Sequence, residues 1–448
     1  MRVFDRIHLS SFQVIILGFL LVILLGSMLL TLPIATVSRE SASFSDALFT
    51  SVSAVCVTGL VVQDTATYWS GFGQAVILCM IQIGGMGVVT LAVAIAMLSG
   101  RKISLMQRST MQEAISAHHV GGIVKLTGFI LKVTLCIELG GAVLLGIAFS
   151  RDFSPLQSIW YGLFHSISAF CNAGFDLMGR QAPFSSLTAY AGNPLVNITV
   201  MALIVIGGVG FLTWQDVRAN GRHLRAYRLQ SKIILSMALI LILIPALLFF
   251  LLEFSGGEWA GRSLGERVLA SLFQSVTPRT AGFNTVDLTA MKEASLTLVI
   301  LLMLTGGSPG STAGGMKTTT VAVLFLSAVS VCKRRETVRC FGRRIDADAL
   351  RSAAAILLMY LMLFLLGGLT ISLLEDLPVL TCLFEAASAI GTVGLTLGIT
   401  PQLCAASRLI LMGLMFFGRV GGLTLIFAAA SGKRPYVSRL PKEKITVG

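Results

Sequence analysis

Apolar and polar positions follow one another along this chain in long blocks. Eight apolar runs, at residues 12–32, 75–98, 124–149, 194–214, 233–252, 294–331, 353–374 and 409–430, are separated by polar stretches. Each is near or above the length of about 20 residues that crosses a bilayer core as a helix. Inside each successive pair of runs lies a shorter segment, predicted as helix over 47–54, 156–170, 268–277 and 379–390. Start signals support these short helices: Ser45 or Asp46 as a cap, Ser154-Pro155, Ser263 with Glu266 as a capping box, and Pro378. Most are too short to span, so they are expected to re-enter the membrane from one side.

The short segments are versions of one another. FTSVSAVCVTGL begins at Phe49, FHSISAFCNAGF at Phe164, FQSVTPRTAGF at Phe273 and FEAASAIGTVGL at Phe384. Each opens on Phe, carries small and hydroxyl residues, and closes on one glycine followed by Leu or Phe. The third copy is one residue shorter. Internal repetition of this kind defines architecture before any single residue does. The expected fold is an all-α integral membrane protein of four span–short helix–glycine strand–span repeats about a pseudo-fourfold central pore. The repeats are drawn at 1–100, 101–220, 221–340 and 341–432, with a basic tail at 433–448.

Composition agrees with that reading. Hydrophobic residues make up 55% of the 448 and charged residues 12%, against about 25% charged in a soluble domain. The net charge of +13 does not point to nucleic acid, because about two thirds of the Lys and Arg residues fall in the termini and the three inter-repeat links. The positive-inside rule makes that side cytoplasmic. Both termini then lie in the cytoplasm, and the short helices enter from outside. The first run is too long for a cleaved signal and reads as a retained span. Eight cysteines with no ligand spacing indicate neither a disulfide framework nor a zinc site.

Irregular backbone at membrane depth is tolerated where it lines a cavity, and four such strands at one depth imply a central path. The short helices would aim their carbonyl ends toward it. The strands Val57-Thr58-Gly59, Asn172-Ala173-Gly174, Thr280-Ala281-Gly282 and Thr392-Val393-Gly394 would turn carbonyls inward, the arrangement that replaces an ion's hydration shell. These strands, together with GGSPGSTAGGMKTTT at 306–320, resemble the Trk/Ktr/HKT superfamily of potassium transporters over nearly the whole chain. The length, and the lack of an extra hairpin before the first repeat, are most similar to the Ktr-type membrane subunit. The resemblance implies potassium uptake with the four strands as the ion filter and potassium as the bound ion. A glycine stands at all four positions, whereas some sodium-preferring plant relatives carry serine at the first. Each strand keeps only one glycine of the TVGYG pattern of potassium channels, so fewer ion sites and looser selectivity are expected. Sodium or proton coupling stays open. The resemblance further implies residence in the inner (plasma) membrane in contact with lipid and a homodimer. Its regulatory partner would be a separate cytosolic nucleotide-binding ring (KtrA/TrkA-like) that carries ATP or ADP. No bound cofactor and no nucleic-acid partner are expected.

The run at 294–331 is too long for one span and holds Gly306, Gly307, Pro309, Gly310, Gly314 and Gly315, so a broken helix is favoured over a kinked one. The resemblance implies an intramembrane gate there, including Ser308, Ser311 and Thr312, with Lys317 at its end bonded to carbonyls or to an acid. Arg419, deep in the last run, should face the bundle interior, since a charge at mid-membrane costs about 2.5–3.5 kcal/mol; the resemblance places it in the path as a barrier to cations. Arg279 and Glu385 are candidates to pair and brace the filter or to contact the ion. Asp64, Asp176 and Asp287 are either solvated loop acids or a cation-attracting mouth. His165 reads as a packed side chain, and Lys132 and Glu138 receive no role. The glycines of QIGGMG (82–87) and IGGVG (206–210) read as close helix packing. Two other classes compete. An alternating-access carrier predicts inverted halves, and an intramembrane hydrolase, with Ser308 or Ser311 as nucleophile and His165 as base, needs the two within hydrogen-bond reach. No enzyme is expected.

Overall fold

The computed structural model describes residues 10–99, 105–114, 122–180, 182–256, 259–422 and 424–425; the basic tail at 433–448 lies outside them. Sixteen α-helices are described. The first repeat holds α1 (Ser11–Leu30), α2 (Phe44–Val55), α3 (Gly71–Met86) and α4 (Val88–Leu98), followed by α5 (Leu105–Ala114) in the link. The second holds α6 (Ile123–Phe149), α7 (Pro155–Phe170), α8 (Pro194–Val209) and α9 (Phe211–Asn220). The third holds α10 (Leu229–Phe249), α11 (Leu264–Val276), α12 (Glu293–Met303) and α13 (Thr318–Cys332). A two-residue hairpin, β1 (Arg339–Cys340) with β2 (Arg343–Arg344), leads to the fourth repeat: α14 (Ala347–Glu375), α15 (Val379–Gly391) and α16 (Ala405–Val420).

The four short helices form where the sequence signals placed them. Ser263 and Glu266 make the capping box of α11, and Pro155 opens α7. The cap of α2 differs from expectation. Ser43, not Ser45 or Asp46, accepts the backbone N–H of Asp46, so the helix begins three residues earlier than predicted. The Phe that opens each repeated segment is the core of its repeat: Phe49, Phe164, Phe273 and Phe384 are fully buried. At the other end Leu60, Phe175, Phe283 and Leu395 are buried as well, so both ends of every copy are anchored in apolar packing. The long first helices, by contrast, turn Leu21, Val143, Leu247 and Leu373 outward. That apolar girdle suits a lipid environment, as in a multi-pass membrane protein.

The helix that follows the glycine strand in each repeat packs on the short helix of the next: α3 on α7, α8 on α11, α12 on α15, and α16 back on α2. This cyclic pattern is the pseudo-fourfold arrangement. The last contact joins the end of the chain to its beginning. Arg408 on α16 donates from Nη1 to Asp46 Oδ1 of α2 at 3.1 Å and from Nη2 to the Pro401 carbonyl at 2.8 Å. Gln63 Nε2 donates to the other carboxylate oxygen at 3.1 Å. The Arg408 and Asp46 side chains are only 20% and 14% exposed, so removing one leaves the other poorly solvated. Arg408→Ala is expected to cost about 2 kcal/mol and to lower the thermal midpoint in detergent by a few degrees. An unchanged midpoint would show that the ring closes without this pair.

Two predicted spans, 75–98 and 194–214, prove to be bent rather than continuous. The chain turns by 96° between α3 and α4 and by 94° between α8 and α9. The break falls on Gly87 (φ 85°, ψ 132°) and on Gly210 (φ 97°, ψ 142°), a conformation that side-chain-bearing residues rarely adopt. Gly421 ends α16 in the same way. The glycines before the breaks do serve close packing, as expected: a Cβ on Gly84 would lie 2.1 Å from the Val55 carbonyl oxygen, and one on Gly207 2.0 Å from that of Phe170. In the third repeat the single-glycine break is enlarged to the loop 304–317 between α12 and α13, so the predicted broken helix is found.

Candidate functional site

The four glycine strands meet. A Cβ placed on Gly59 would lie 2.5 Å from the Ala173 carbonyl oxygen, one on Gly174 2.7 Å from that of Ala281, one on Gly282 2.2 Å from that of Val393, and one on Gly394 2.3 Å from that of Thr58. Each strand therefore leans on the next and the fourth closes on the first. The contacts involve the second and third residue of each strand named from the sequence. The backbone is held in an uncommon form: Val57, Asn172, Thr280 and Thr392 have φ of 57°, 59°, 72° and 52°, and the four glycines lie between 70° and 95°. Positive φ at a β-branched residue is a true outlier, and such strain persists where the surroundings over-determine it.

The surroundings that do so include one hydroxyl per repeat, at the fifth position of every copy. Ser53 Oγ accepts the Gly59 N–H at 3.1 Å, and Ser388 Oγ accepts the Gly394 N–H at 3.0 Å. Ser168 Oγ and Thr277 Oγ1 donate instead to the carbonyls of Phe175 and Phe283, both at 2.7 Å. The backbone carbonyls of the same residues take strand amides: Thr58 N–H to Ser53, Ala173 N–H to Ser168 and Val393 N–H to Ser388, each at 2.8 Å. In the shorter third copy the Ala281 N–H reaches Thr277 at 3.0 Å, four residues back rather than five, which absorbs the missing residue. A Ser or Thr in the same place in all four copies is visible in the sequence, but its bracing role needs the turn of the strand. Thr280 Oγ1 also donates to the Asn172 side-chain oxygen at 3.0 Å, in the amide orientation that lets its nitrogen reach the Phe170 carbonyl; this ties the second strand to the third.

Beneath the ring lies the 304–317 loop. It is docked by backbone on the bend of the second repeat: Ser308 N–H to the Gly208 carbonyl at 3.0 Å, Thr312 N–H to Gly207 at 3.3 Å, and Phe211 N–H to Gly310 at 2.7 Å. Thr312 Oγ1 adds a bond to the Phe170 carbonyl at 2.9 Å. On the far side Gly315 N–H donates to the Gly418 carbonyl at 3.0 Å, and a Cβ on Gly314 would meet Thr392 Oγ1 at 2.2 Å. Within the loop, Gly306 N–H bonds the Met316 carbonyl at 2.8 Å and Gly307 N–H that of Gly314 at 3.2 Å. Lys317 Nζ donates to the carbonyls of Ala313 (2.9 Å) and Gly314 (3.4 Å), which answers the question of its partner in favour of carbonyls.

Arg419 does face the interior. Its Nη1 donates to the Thr312 carbonyl and its Nη2 to those of Gly84 and Gly85, with no carboxylate partner among the described residues. One guanidinium thereby touches the first repeat and the third-repeat loop from the fourth. A cavity of about 290 Å³ borders it, lined among others by Gly85, Gly310, Ser311, Lys317 and Tyr360.

Other expectations part from the structure. Arg279 and Glu385 are both buried but form no ion pair. The Glu385 carboxylate is taken by the hydroxyls of Thr396 and Thr400, from the loop after its own strand, and Arg279 Nε has no hydrogen-bond partner among the described residues. The three acids after the strands mainly fold their loops. Asp64 Oδ1 accepts from the N–H groups of Ala66 and Thr67 (3.0 Å each), and its Oδ2 accepts from Phe184 N–H (2.9 Å). Asp176 takes the Met178 N–H and Asp287 the Thr289 N–H, both at 2.9 Å. Asp287 alone of the three also lines a cavity of about 780 Å³, together with Glu253, Thr285 and Thr396. His165 is packed as expected, with Nδ1 donating to the Tyr161 carbonyl at 2.7 Å and Nε2 accepting the Leu177 N–H at 3.3 Å.

Comparison with known proteins places this architecture. The model of a family described as "TrkH: Cation transport protein" matches residues 7–435. The potassium/sodium uptake protein NtpJ of Enterococcus hirae is 38% identical over 99% of this chain and 98% of its own. The Ktr system potassium uptake protein B of Bacillus subtilis is 38% identical over 100% of this chain and 99% of its own. In fold, the crystal structure of TrkH from Vibrio parahaemolyticus superposes with a TM-score of 0.72, covering 94% of this chain and 86% of that one at 21% identity.

Proposed function

The chain belongs to the TrkH family of cation transport proteins, which are transporters and not enzymes, and from that premise we propose that it takes up potassium through the ring of glycine strands. The observation that carries this reading is the cyclic approach of Gly59, Gly174, Gly282 and Gly394 to the carbonyls of their neighbours. Backbone oxygens at 57–59, 172–174, 280–282 and 392–394 coordinate the dehydrated ion. The loop 304–317 gates the path below, and Arg419 sets an electrostatic barrier in it. Four repeats in one orientation about one axis favour a channel-like route over an alternating-access carrier, whose halves would be inverted.

The same reading divides the chain into the repeats 1–100, 101–220, 221–340 and 341–432 with a cytoplasmic tail, and places it in the inner (plasma) membrane with both termini in the cytoplasm. It also gives the chain a second copy as partner and, since relatives are named as parts of a Ktr system, a cytosolic nucleotide-binding ring that acts on the gate. Sodium is the candidate coupling ion, because one relative is named for both cations. The test is uptake of radioactive rubidium into liposomes containing the purified protein, with and without sodium. Saturable uptake, competed by potassium far better than by sodium, is expected; its absence in protein-containing liposomes with a potassium gradient would overturn the reading.

A further inference from the structure

Between the first two repeats lies a polar cluster that the ion path does not use. Glu138, on α6, is 2% exposed. Its Oε2 accepts from Gln82 Nε2 of α3 at 3.2 Å. Cys171, at the C-terminus of α7, turns its Sγ toward Gln82 Oε1 at 3.5 Å and toward Glu138 Oε1 at 4.0 Å. The Glu138 carbonyl accepts from Ser166 Oγ of α7 at 2.6 Å, which fixes α6 against the same helix. A buried intramembrane carboxyl is costly unless it is bonded, and such groups mark functional sites.

The cluster lies within one turn of the residues that hold Arg419. Gln82 is two residues before Gly84, whose carbonyl, with that of Gly85, accepts from the Arg419 guanidinium. A Cβ on Gly85 would lie 2.5 Å from Cys171 Sγ, so this turn of α3 is pressed directly on the cluster. Cys171 in turn immediately precedes Asn172, the root of the second glycine strand. Glu138 thus joins three elements at the place where barrier and ring come together.

We propose that Glu138 is a positioning residue for the ion path. Through Gln82 it holds the last turn of α3 so that the Gly84 and Gly85 carbonyls face Arg419, and so determines how firmly the guanidinium stays in the path. This rests on the reading of Arg419 as a barrier. It adds that the barrier is set by a side chain on a different repeat, which contacts neither the ion nor Arg419.

Two measurements on the purified full-length protein test it: rubidium uptake in liposomes, and hydrogen–deuterium exchange at residues 84–87 and 308–315. Glu138→Leu removes the acceptor. Maximal uptake is expected to rise about three- to tenfold, the worth of one lost hydrogen bond, with half-saturation unchanged and faster exchange in both segments. Glu138→Gln still offers an acceptor oxygen to Gln82 and should restore wild-type behaviour. In a protein already carrying Arg419→Ala, Glu138→Leu should add nothing to uptake. An equal rise with and without Arg419, or exchange at 84–87 and 308–315 unaltered by Glu138→Leu, would overturn the proposal. If Arg419→Ala leaves uptake unaltered while exchange still responds to Glu138→Leu, the barrier reading fails and the positioning role stands. Should Glu138→Leu not fold, Gln82→Leu cuts the same bond from the other side and is read identically.

Discussion

Gly282→Ala is expected to lower rubidium uptake by about a hundredfold, the penalty that a displacement of about 1 Å in a positioned group can carry. Two costs coincide at this residue. The backbone sits at φ 80°, where an alanine pays about 1–2 kcal/mol. The added Cβ would also lie 2.2 Å from the Val393 carbonyl oxygen and 3.2 Å from the Gly394 Cα. Contact between carbon and oxygen relaxes only when the fourth strand is pushed away, so one methyl group on the third strand misplaces the carbonyls of two. Gly413→Ala is the control. Nothing lies within 4 Å of a Cβ there, the residue is in the middle of α16, and alanine is the better helix former by about 1 kcal/mol. Uptake initial rates at equal protein incorporation decide the matter. Wild-type rates in Gly282→Ala would mean that ions do not pass between these strands.

Arg419→Ala is expected to raise uptake about tenfold, the equivalent of removing about 1.4 kcal/mol from the barrier. The guanidinium rests on carbonyl oxygens of Thr312, Gly84 and Gly85 and pairs with no carboxylate among the described residues, so on the proposed reading its charge opposes a cation arriving from the ring. The substitution also frees the loop at Thr312, which acts in the same direction. Arg419→Lys keeps the charge but lacks the planar fork that reaches three carbonyls at once, and intermediate uptake is expected. Uptake equal to or below wild type in Arg419→Ala would show that the residue serves the bundle as a clamp rather than the path as a barrier.

Much of this site is legible in the residues because it is repeated. One Phe–hydroxyl–glycine segment carries little weight; four of them, each between apolar runs, require a common arrangement, and the fully buried Phe49, Phe164, Phe273 and Phe384 are its physical expression. The broken helix at 304–317 is legible for a similar reason, since a helix interior does not accommodate six glycine and proline residues. Misreadings arise where one residue type serves two ends. Glycine in QIGGMG permits close packing and also a left-handed backbone; Gly84 uses the first property and Gly87 the second. Arg279 and Glu385 are a plausible pair by charge alone, yet Thr396 and Thr400, brought back by the loop after the fourth strand, satisfy the carboxylate first.

The order of residues was enough to establish a membrane-embedded helical chain with four equivalent short segments, because apolar length and internal repetition are properties of the chain itself. Three-dimensional packing alone chose the partners: Asp46 for Arg408 across the whole chain, carbonyls instead of acids for Arg419 and Lys317, and Gln82 for Glu138. Most hydrogen-bonding groups buried away from water are satisfied by whatever the closed ring brings within 3 Å or so, and that proximity is created by closing the ring, not by any spacing along the sequence.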